Sequence, residues 1–342
     1  MQIAGRNIAP EESPYVIAEL SGNHLGDKQR AFRLIEMAKH AGADAVKFQY
    51  YTADSITINH DGPEFILHQG PWKGRKLYDL YQEAHTPPEW FPSLFDCAQK
   101  LGIAAFSSVF DPAGVDELER LGAPAYKISS FDIVDHPLIE YVSKTLKPII
   151  LSTGMASPDD IRSADDLLGD LYPHTFLHCV SGYPTPVEES NLAALKRLSI
   201  MVGMDVGLSD HTLGAEVPVA ATAMGAVVIE KHLTLDRHDG GPDAAFSLEP
   251  HEFRKMCLAV RGIHSALHQE TSPPSERASR ILRKSLYLVQ PVAAGSQLSE
   301  RDVRAIRPGL GLHPKFLSLV IGRRARRDLA YGSPVSWDDL EG

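Results

Sequence analysis

The sequence predicts an α/β fold, a (β/α)8 TIM barrel followed by a small C-terminal domain. Eight short apolar runs alternate with longer amphipathic stretches up to residue 268, and such alternation over about 250 residues is typical of this barrel. Polar residues follow nearly every run, as expected where barrel strands end in an active-site mouth. No glycine-rich dinucleotide fingerprint follows the first run, which disfavours the competing doubly wound sheet.

The eight predicted strands are short runs rich in β-branched and aromatic residues. They occupy residues 15–20, 44–49, 103–108, 125–129, 148–153, 175–180, 204–209 and 226–232. Stretches between them, such as residues 27–43 and 250–269, repeat apolar residues at intervals of three and four, which predicts helices. The interval 50–102 is unusually long and rich in aromatic residues, so we expect a lid or a substrate-facing loop there.

A connector rich in Pro, Ser and charge ends the barrel pattern. We therefore expect a barrel over residues 1–268, a linker over 269–284 and a C-terminal domain over 285–342. That domain shows two β-type runs, at 285–292 and 333–337. A domain this small is marginal alone, so we expect it to lean on another surface.

Composition restricts the partners and the compartment. A net charge of −10 argues against nucleic-acid binding. No apolar run approaches the roughly 18 residues of a membrane span, and the N-terminus lacks the features of a signal peptide, so we expect a cytoplasmic protein without a membrane partner. The three cysteines, Cys97, Cys179 and Cys257, lie among apolar residues, which favours reduced core thiols over disulfides or a zinc site.

Two histidines stand at the ends of the last two predicted strands. His211 follows the seventh run and His232 ends the eighth. Because adjacent strands lie about 4.8 Å apart, two such imidazoles can share one divalent ion. Strand alternation places Glu230 on the side of His232 and Ser209 on the side of His211. Two ordinary buried histidines remain the alternative at this point.

Two lysines lie inside apolar strand patterns, Lys47 in the second run and Lys127 in the fourth. A buried ammonium requires an anion or loses its proton, so the pair indicates a bound phosphate or carboxylate, or a Schiff base. Salt bridges within the barrel are the alternative. Five serines also follow strands and could donate to the same anion: Ser108, Ser129, Ser130, Ser152 and Ser181. Glu19, Asn23 and Asp243 add further polar groups to the mouth.

Several long motifs resemble those of the sialic acid synthase family, enzymes that condense phosphoenolpyruvate with an N-acetylated sugar. They are "IAELSGNHLGD", "GADAVKFQ", "AYKISSFD", "PIILSTGMAS", "HCVSGYPTP", "VGLSDHTLG", "VIEKHLTLD" and "GGPDAAFS". The C-terminal "IRPGLGLHP" resembles the antifreeze-like domain of that family, also called a SAF or β-clip domain. The resemblance covers nearly the whole chain.

The resemblance implies a role for each polar residue of the mouth. His211 and His232 would hold a divalent ion, Mn²⁺ or Mg²⁺, and Glu19 and Glu230 would handle protons. The implied phosphoenolpyruvate ligands are Lys47, Ser108, Lys127, Ser130, Ser152, Ser181 and Ser209. The implied sugar ligands are Gln49, Asp132, Tyr183, Asp243 and Arg307. In the family such an arginine reaches the sugar from a partner subunit, which implies a domain-swapped homodimer.

Within the family the sequence is most similar to the pseudaminic acid branch, which implies 2,4-diacetamido-2,4,6-trideoxy-L-altrose as the sugar. Synthases that make N-acetylneuraminate or legionaminate from a D-manno sugar are the alternative. Ser108, Asp132 and Ser181 stand where the sialic acid enzymes have Thr, Glu and Asn. Because of these changes, the resemblance does not decide between the two sugars. Two remoter hypotheses are a Schiff-base aldolase and a non-catalytic sugar-binding protein.

Overall fold

The computed structural model of the chain describes residues 1–70, 72–269 and 273–341. The chain divides into two compact units, Met1–His268 and Gln269–Gly342. Residues 270–272 of the expected linker lie outside the described residues. Within the described ranges, none of the helices combines the length and hydropathy that a membrane crossing needs.

The first unit is the predicted barrel. Eight parallel strands close in the order β10-β3-β4-β5-β6-β7-β8-β9. The strands are β3 (Tyr15–Glu19), β4 (Ala45–Tyr50), β5 (Ala104–Val109), β6 (Tyr126–Ile128), β7 (Ile149–Ser152), β8 (His174–Cys179), β9 (Gly207–Asp210) and β10 (Val228–His232). Each overlaps one of the eight predicted runs, so the fold prediction is confirmed. A two-stranded hairpin, β1 (Gln2–Ile3) and β2 (Arg6–Asn7), precedes the barrel.

Helices surround the barrel, and several of them begin at a capping residue or a proline. The helices of this unit are α1 (Lys28–Ala41), α2 (Ala53–Ile56), α3 (Leu77–Ala84), α4 (Phe91–Leu101), α5 (Pro112–Arg120), α6 (His136–Ser143), α7 (Pro158–Leu168), α8 (Ala193–Val202), α9 (Glu216–Ala223) and α10 (Pro250–Leu267). α5 and α7 each begin with a proline that follows a capping residue. Asp111 accepts from the Gly114 amide at 2.7 Å, which satisfies one of the amides that a helix start leaves unpaired.

Alternation along the strands separates a packing side from an interior side. In β3, Val16 and Ala18 join the large core between strands and helices, whereas Ile17 joins an apolar layer inside the barrel. Glu19 lies two residues further along the same interior side, at the carboxyl end of the strand. The barrel interior is therefore apolar below and polar at its mouth, where active sites of this fold are built.

The long interval after β4 carries α2, α3 and a short 3-10 turn, Pro63–Phe65. Leu77, Leu80 and Tyr81 recur on one side of α3 at helical spacing and line a cavity at the barrel mouth. The segment therefore faces the mouth, as its aromatic content indicated.

The second unit has its own small core. It contains α11 (Pro274–Ser279), α12 (Leu317–Val320) and an antiparallel pair, β11 (Ser285–Leu288) and β12 (Val303–Ile306). Its core includes Leu286, Leu298 and Val320. The run at 333–337 forms a single bridge, Tyr287 to Pro334, rather than a strand, and β12 was not predicted.

Candidate active site

A cavity of about 430 Å³ opens at the carboxyl ends of the barrel strands. The predicted site residues that line it are Lys47, Gln49, Ser108, Lys127, Ser130, Asp132, Ser152, Tyr183, Ser209, His211, Glu230 and His232. Three others stand behind this lining. Glu19 contacts Lys47 and Gln49, and Ser181 lies 3.0 Å from the Ser130 hydroxyl. Asp243 accepts from the Gly22 amide at 3.3 Å.

Barrel closure brings the acids and lysines of the mouth together. In the strand register, Glu19 of β3 lies opposite both His232 of β10 and Lys47 of β4. The Lys47 Nζ is 2.6 Å from Glu19 Oε2 and 3.3 Å from Glu230 Oε1. The second lysine, Lys127, donates to the Ser152 hydroxyl at 2.7 Å and lies 3.9 Å from Glu230. The mouth therefore holds two buried lysines against two buried carboxylates.

Burial and charge separate the two carboxyl groups. Burial raises the pKa of Glu19 to about 7, and Lys47 only partly opposes this rise. Burial also acts to raise the pKa of Glu230, but the charges of Lys127 and Lys47 outweigh it and lower that pKa. Two neighbouring carboxyls with opposite shifts are typical of acid–base pairs in active sites. Glu19 is thus the group that can exchange a proton near neutral pH.

The two lysines also differ. Burial acts to lower the pKa of Lys47, but Glu19 and Glu230 outweigh it and raise that pKa. Burial lowers the pKa of Lys127. Glu230 lies farther from Lys127 than from Lys47, and its charge only partly offsets this decrease. An anion bound beside Lys127 would favour its charged form. The mouth is therefore suited to binding a negatively charged ligand.

The two predicted metal ligands lie side by side, with ring centroids 5.4 Å apart. Burial lowers the pKa of both His211 and His232, so both are neutral at pH 7, the form that binds metals. The His211 Nδ1 lies 2.9 Å from the Val180 carbonyl oxygen. Since a carbonyl only accepts, this ring donates from Nδ1 and keeps the Nε2 lone pair free.

The carboxylate of Glu230, two residues before His232, has one buried oxygen without a hydrogen bond from the described residues. Across the described part of the chain, Glu230 Oε2 finds no hydrogen-bond partner. No His, Cys, Asp or Glu among the described residues completes a cluster of three ligand atoms with the two imidazoles. This donor set fits a divalent ion held by two histidines, with several positions left to water or substrate.

Serines surround the lysines, and a glycine admits two of them. Gly154 has a φ of +47°, and a Cβ built there would lie 2.4 Å from the Ser130 Cβ and 2.7 Å from the Ser181 hydroxyl. Only glycine fits this close approach. Ser129, expected to face an anion, instead donates to Asp132. Asp132 therefore has a partner within its own loop.

Aromatic and apolar side chains form the opposite side of the cavity. The Tyr183 ring packs 4.5 Å from the His211 ring and 5.5 Å from that of Trp72. We call the apolar part contributed by the segment after β4 the insertion wall, which comprises Tyr51, Ile56, Leu67, Trp72, Leu77, Leu80 and Tyr81. Sequence reasoning expected the segment to face substrate but did not identify these residues. The spacing of Leu77, Leu80 and Tyr81 could have identified three of them.

One predicted sugar ligand belongs to the second unit. Arg307 follows β12 and is exposed.

Comparisons with known proteins give a consistent result. The NeuB family model matches residues 34–272, and the SAF domain model matches residues 283–341. A pseudaminic acid synthase of Campylobacter jejuni is 40% identical over 348 residues, which span 100% of both chains. A pseudaminic acid synthase of Helicobacter pylori is 40% identical over 96% of this chain and 98% of its own. The crystal structure of an N-acetylneuraminic acid (sialic acid) synthetase from Leptospira borgpetersenii matches with a TM-score of 0.73 at 31% identity, covering 82% of this chain and 94% of that one.

Proposed function

Because the chain belongs to the NeuB family, we propose that it condenses phosphoenolpyruvate with 2,4-diacetamido-2,4,6-trideoxy-L-altrose and releases phosphate, the reaction that makes pseudaminic acid. The observation that carries this function is the 40% sequence identity to two pseudaminic acid synthases over nearly the full length of the chain. The chemistry of the mouth supports it independently, since buried lysines and serines suit an anionic donor and the insertion wall suits a deoxygenated, acetylated sugar.

Phosphoenolpyruvate fits the lysine and serine side of the cavity. Because the pKa of Glu19 is raised to about 7, both its ionised and its protonated forms are present near neutral pH. In the protonated form the two lysines face one ionised carboxylate, so the site keeps positive charge for the phosphate and carboxylate of the donor. Ser108 and Ser152 already accept hydrogen bonds from Lys47 and Lys127. The same hydroxyls can donate to a phosphate oxygen.

The reaction forms one carbon–carbon bond and breaks one carbon–oxygen bond. C3 of phosphoenolpyruvate attacks the aldehyde carbon of the open-chain sugar, and the aldehyde oxygen takes up a proton. Water adds at C2 and gives up a proton, for which Glu19 is the candidate base. The tetrahedral carbon then expels phosphate with its bridging oxygen and leaves a 2-keto acid. The lysines stabilise the charge on the departing phosphate.

The two histidines would hold a divalent ion, Mn²⁺ or Mg²⁺, with Glu230 Oε2 as the nearby unpartnered acceptor. Such an ion supplies Lewis-acid polarisation of the sugar's aldehyde oxygen. The role of His211 and His232 is to present neutral ring nitrogens to it at the barrel mouth.

A homodimer would complete the site. Arg307 is exposed on the second unit, and an arginine from the partner's second unit could hydrogen-bond an N-acyl oxygen of the sugar. This arrangement would also give the small unit the surface that its size calls for.

Phosphate release with a panel of sugars tests the function. Phosphoenolpyruvate and Mn²⁺ are mixed with the protein and one of three sugars: the L-altro diacetamido sugar, its D-manno counterpart or N-acetylmannosamine. We expect release with the L-altro sugar alone. Release only with a D-manno sugar would keep the family and replace the substrate, and no release with any of them would contradict the synthase.

One observation favours an aldolase instead: burial lowers the pKa of Lys127, as in Schiff-base lysines. Borohydride reduction in the presence of pyruvate separates the two hypotheses. The synthase predicts no covalent adduct, whereas an aldolase predicts one on Lys127 that is lost in Lys127→Met.

The insertion wall is expected to determine affinity for the sugar. Leu77→Ser should raise the KM for the sugar about tenfold and leave the KM for phosphoenolpyruvate unchanged, because one apolar contact is worth about 1–3 kcal/mol. Leu258→Ser is the matched control, since Leu258 is 60% exposed and lies on α10. Steady-state kinetics with each substrate varied gives both constants. An unchanged sugar KM would exclude this part of the wall from recognition.

A further inference from the structure

Ser21 adopts a backbone conformation that a serine normally avoids. It follows β3 in a short 3-10 turn, Ser21–His24, and has a φ of +38°. This φ lies in the left-handed region of backbone conformations. A residue with a Cβ atom has a higher free energy there, whereas glycine adopts the conformation without strain. Ser21 is 2% exposed, so its hydroxyl has no access to bulk water. We therefore expect the side chain of Ser21 to have a role that glycine could not fill.

Two predicted site residues contact this serine, and a third contacts the residue after it. The Ser21 amide donates to Glu19 Oε1 at 2.9 Å, and its hydroxyl oxygen lies 3.3 Å from His232 Nδ1. Asp243 lies beside the same turn, where its Oδ2 accepts from the Gly22 amide at 3.3 Å. Through its hydroxyl, Ser21 thus contacts a predicted metal ligand.

The position of the proton on His232 depends on the direction of this hydrogen bond. A hydroxyl has one proton to donate. Its oxygen can also accept a hydrogen bond, and if the Ser21 oxygen accepts from His232, the imidazole carries its proton on Nδ1. The lone pair is then on Nε2. His211 reaches the same state through its hydrogen bond to the Val180 carbonyl. Both rings therefore offer the same nitrogen.

We propose that Ser21 is a positioning residue that fixes the tautomer and orientation of His232 by accepting a hydrogen bond from its Nδ1. Hydrogen-bond partners of this kind orient ligating histidines in metal sites. The consequence for catalysis rests on the proposed function, whereas the consequence for the tautomer does not. Glycine, the residue that suits the backbone, would be the wrong residue for the site.

The proposal predicts opposite effects of Ser21→Gly on stability and on activity. Glycine relieves the backbone conformation, so the Tm should stay the same or rise, whereas kcat for phosphate release should fall about 10–100-fold. Ser21→Ala keeps the backbone penalty and should lose the same activity. Leu146→Gly is the matched control: Leu146 also has a positive φ, of 58°, and is 79% exposed. It should gain stability with no change in kcat.

Nitrogen-15 NMR of the imidazoles, recorded on metal-free protein at neutral pH, gives a readout that is independent of turnover. We expect His232 to be protonated on Nδ1 in the unsubstituted protein and to become a mixture of tautomers in both Ser21 variants. An unchanged His232 tautomer in the variants would overturn the proposal, as would full kcat in Ser21→Gly. A fall in both Tm and kcat with an unchanged tautomer would show a purely structural role. If no sugar supports turnover in any protein, the proposed function fails, and the tautomer measurement still decides the positioning role.

Discussion

Lys47→Met is expected to lower the free energy of unfolding by about 3–5 kcal/mol and to abolish phosphate release. The substitution leaves Glu19 and Glu230 buried without the ammonium that lies 2.6 and 3.3 Å from them, and removing one partner of a buried ion pair has a cost of this size. It also removes a positive charge from the donor side of the cavity. Denaturant unfolding at pH 7 and a phosphate assay measure the two effects.

Two further variants make this prediction specific. Adding Glu19→Gln to Lys47→Met should restore part of the stability, because one uncompensated acid is gone, but none of the activity. Lys100→Met is the matched control: Lys100 also lies 2.6 Å from an acid, Asp96, but is 73% exposed. Exposed pairs contribute little, so its stability and activity should change little. Equal stability losses in Lys47→Met and Lys100→Met would contradict a stabilising role for the buried ion pairs of Lys47 with Glu19 and Glu230.

His211→Ala is expected to lower kcat by about 10²–10³-fold, because the loss of a metal ligand removes several kcal/mol of transition-state stabilisation. Chelation should reduce the unsubstituted protein to a similar rate and should have little further effect on the variant. Phosphate release with and without a chelator, together with Mn²⁺ binding followed by electron paramagnetic resonance, measures both.

The matched control is His178→Ala. His178 is also buried, has a pKa lowered by burial and lies in the neighbouring strand β8, but its Nε2 lies 2.8 Å from the Ser190 carbonyl oxygen. It should bind Mn²⁺ and respond to chelation as the unsubstituted protein does. If His211→Ala kept full activity after chelation, the metal site would have to be abandoned.

Much of the site could be predicted because strand ends in a parallel barrel share one mouth. His211 and His232 close two predicted strands, and their rings do lie together. Lys47 and Lys127 were expected to need an anion, and the structure shows the alternative of internal ion pairs as well. The partners of these lysines could not be read from the sequence, since Glu19 and Glu230 are far from them along the chain.

Other features lay beyond sequence reasoning for identifiable reasons. Ser21 carries no motif of its own, because a positive φ is not visible in a residue name. Ser129 follows a strand as Ser130 does, yet its hydroxyl is held by Asp132. Apolar residues of the insertion wall resemble ordinary core residues until the fold shows that they line a cavity.

The sequence by itself determined the order and alternation of the eight strands, and hence which polar residues end at the mouth, because periodicity and chain order are local properties. Only the tertiary structure decided which of those residues touch. Closure of the barrel pairs its first strand with its last, so Ser21 meets His232, 211 residues away. Such contacts determine the hydrogen bonds and the burial of the site residues, and through them their protonation. None of these properties belongs to a residue alone.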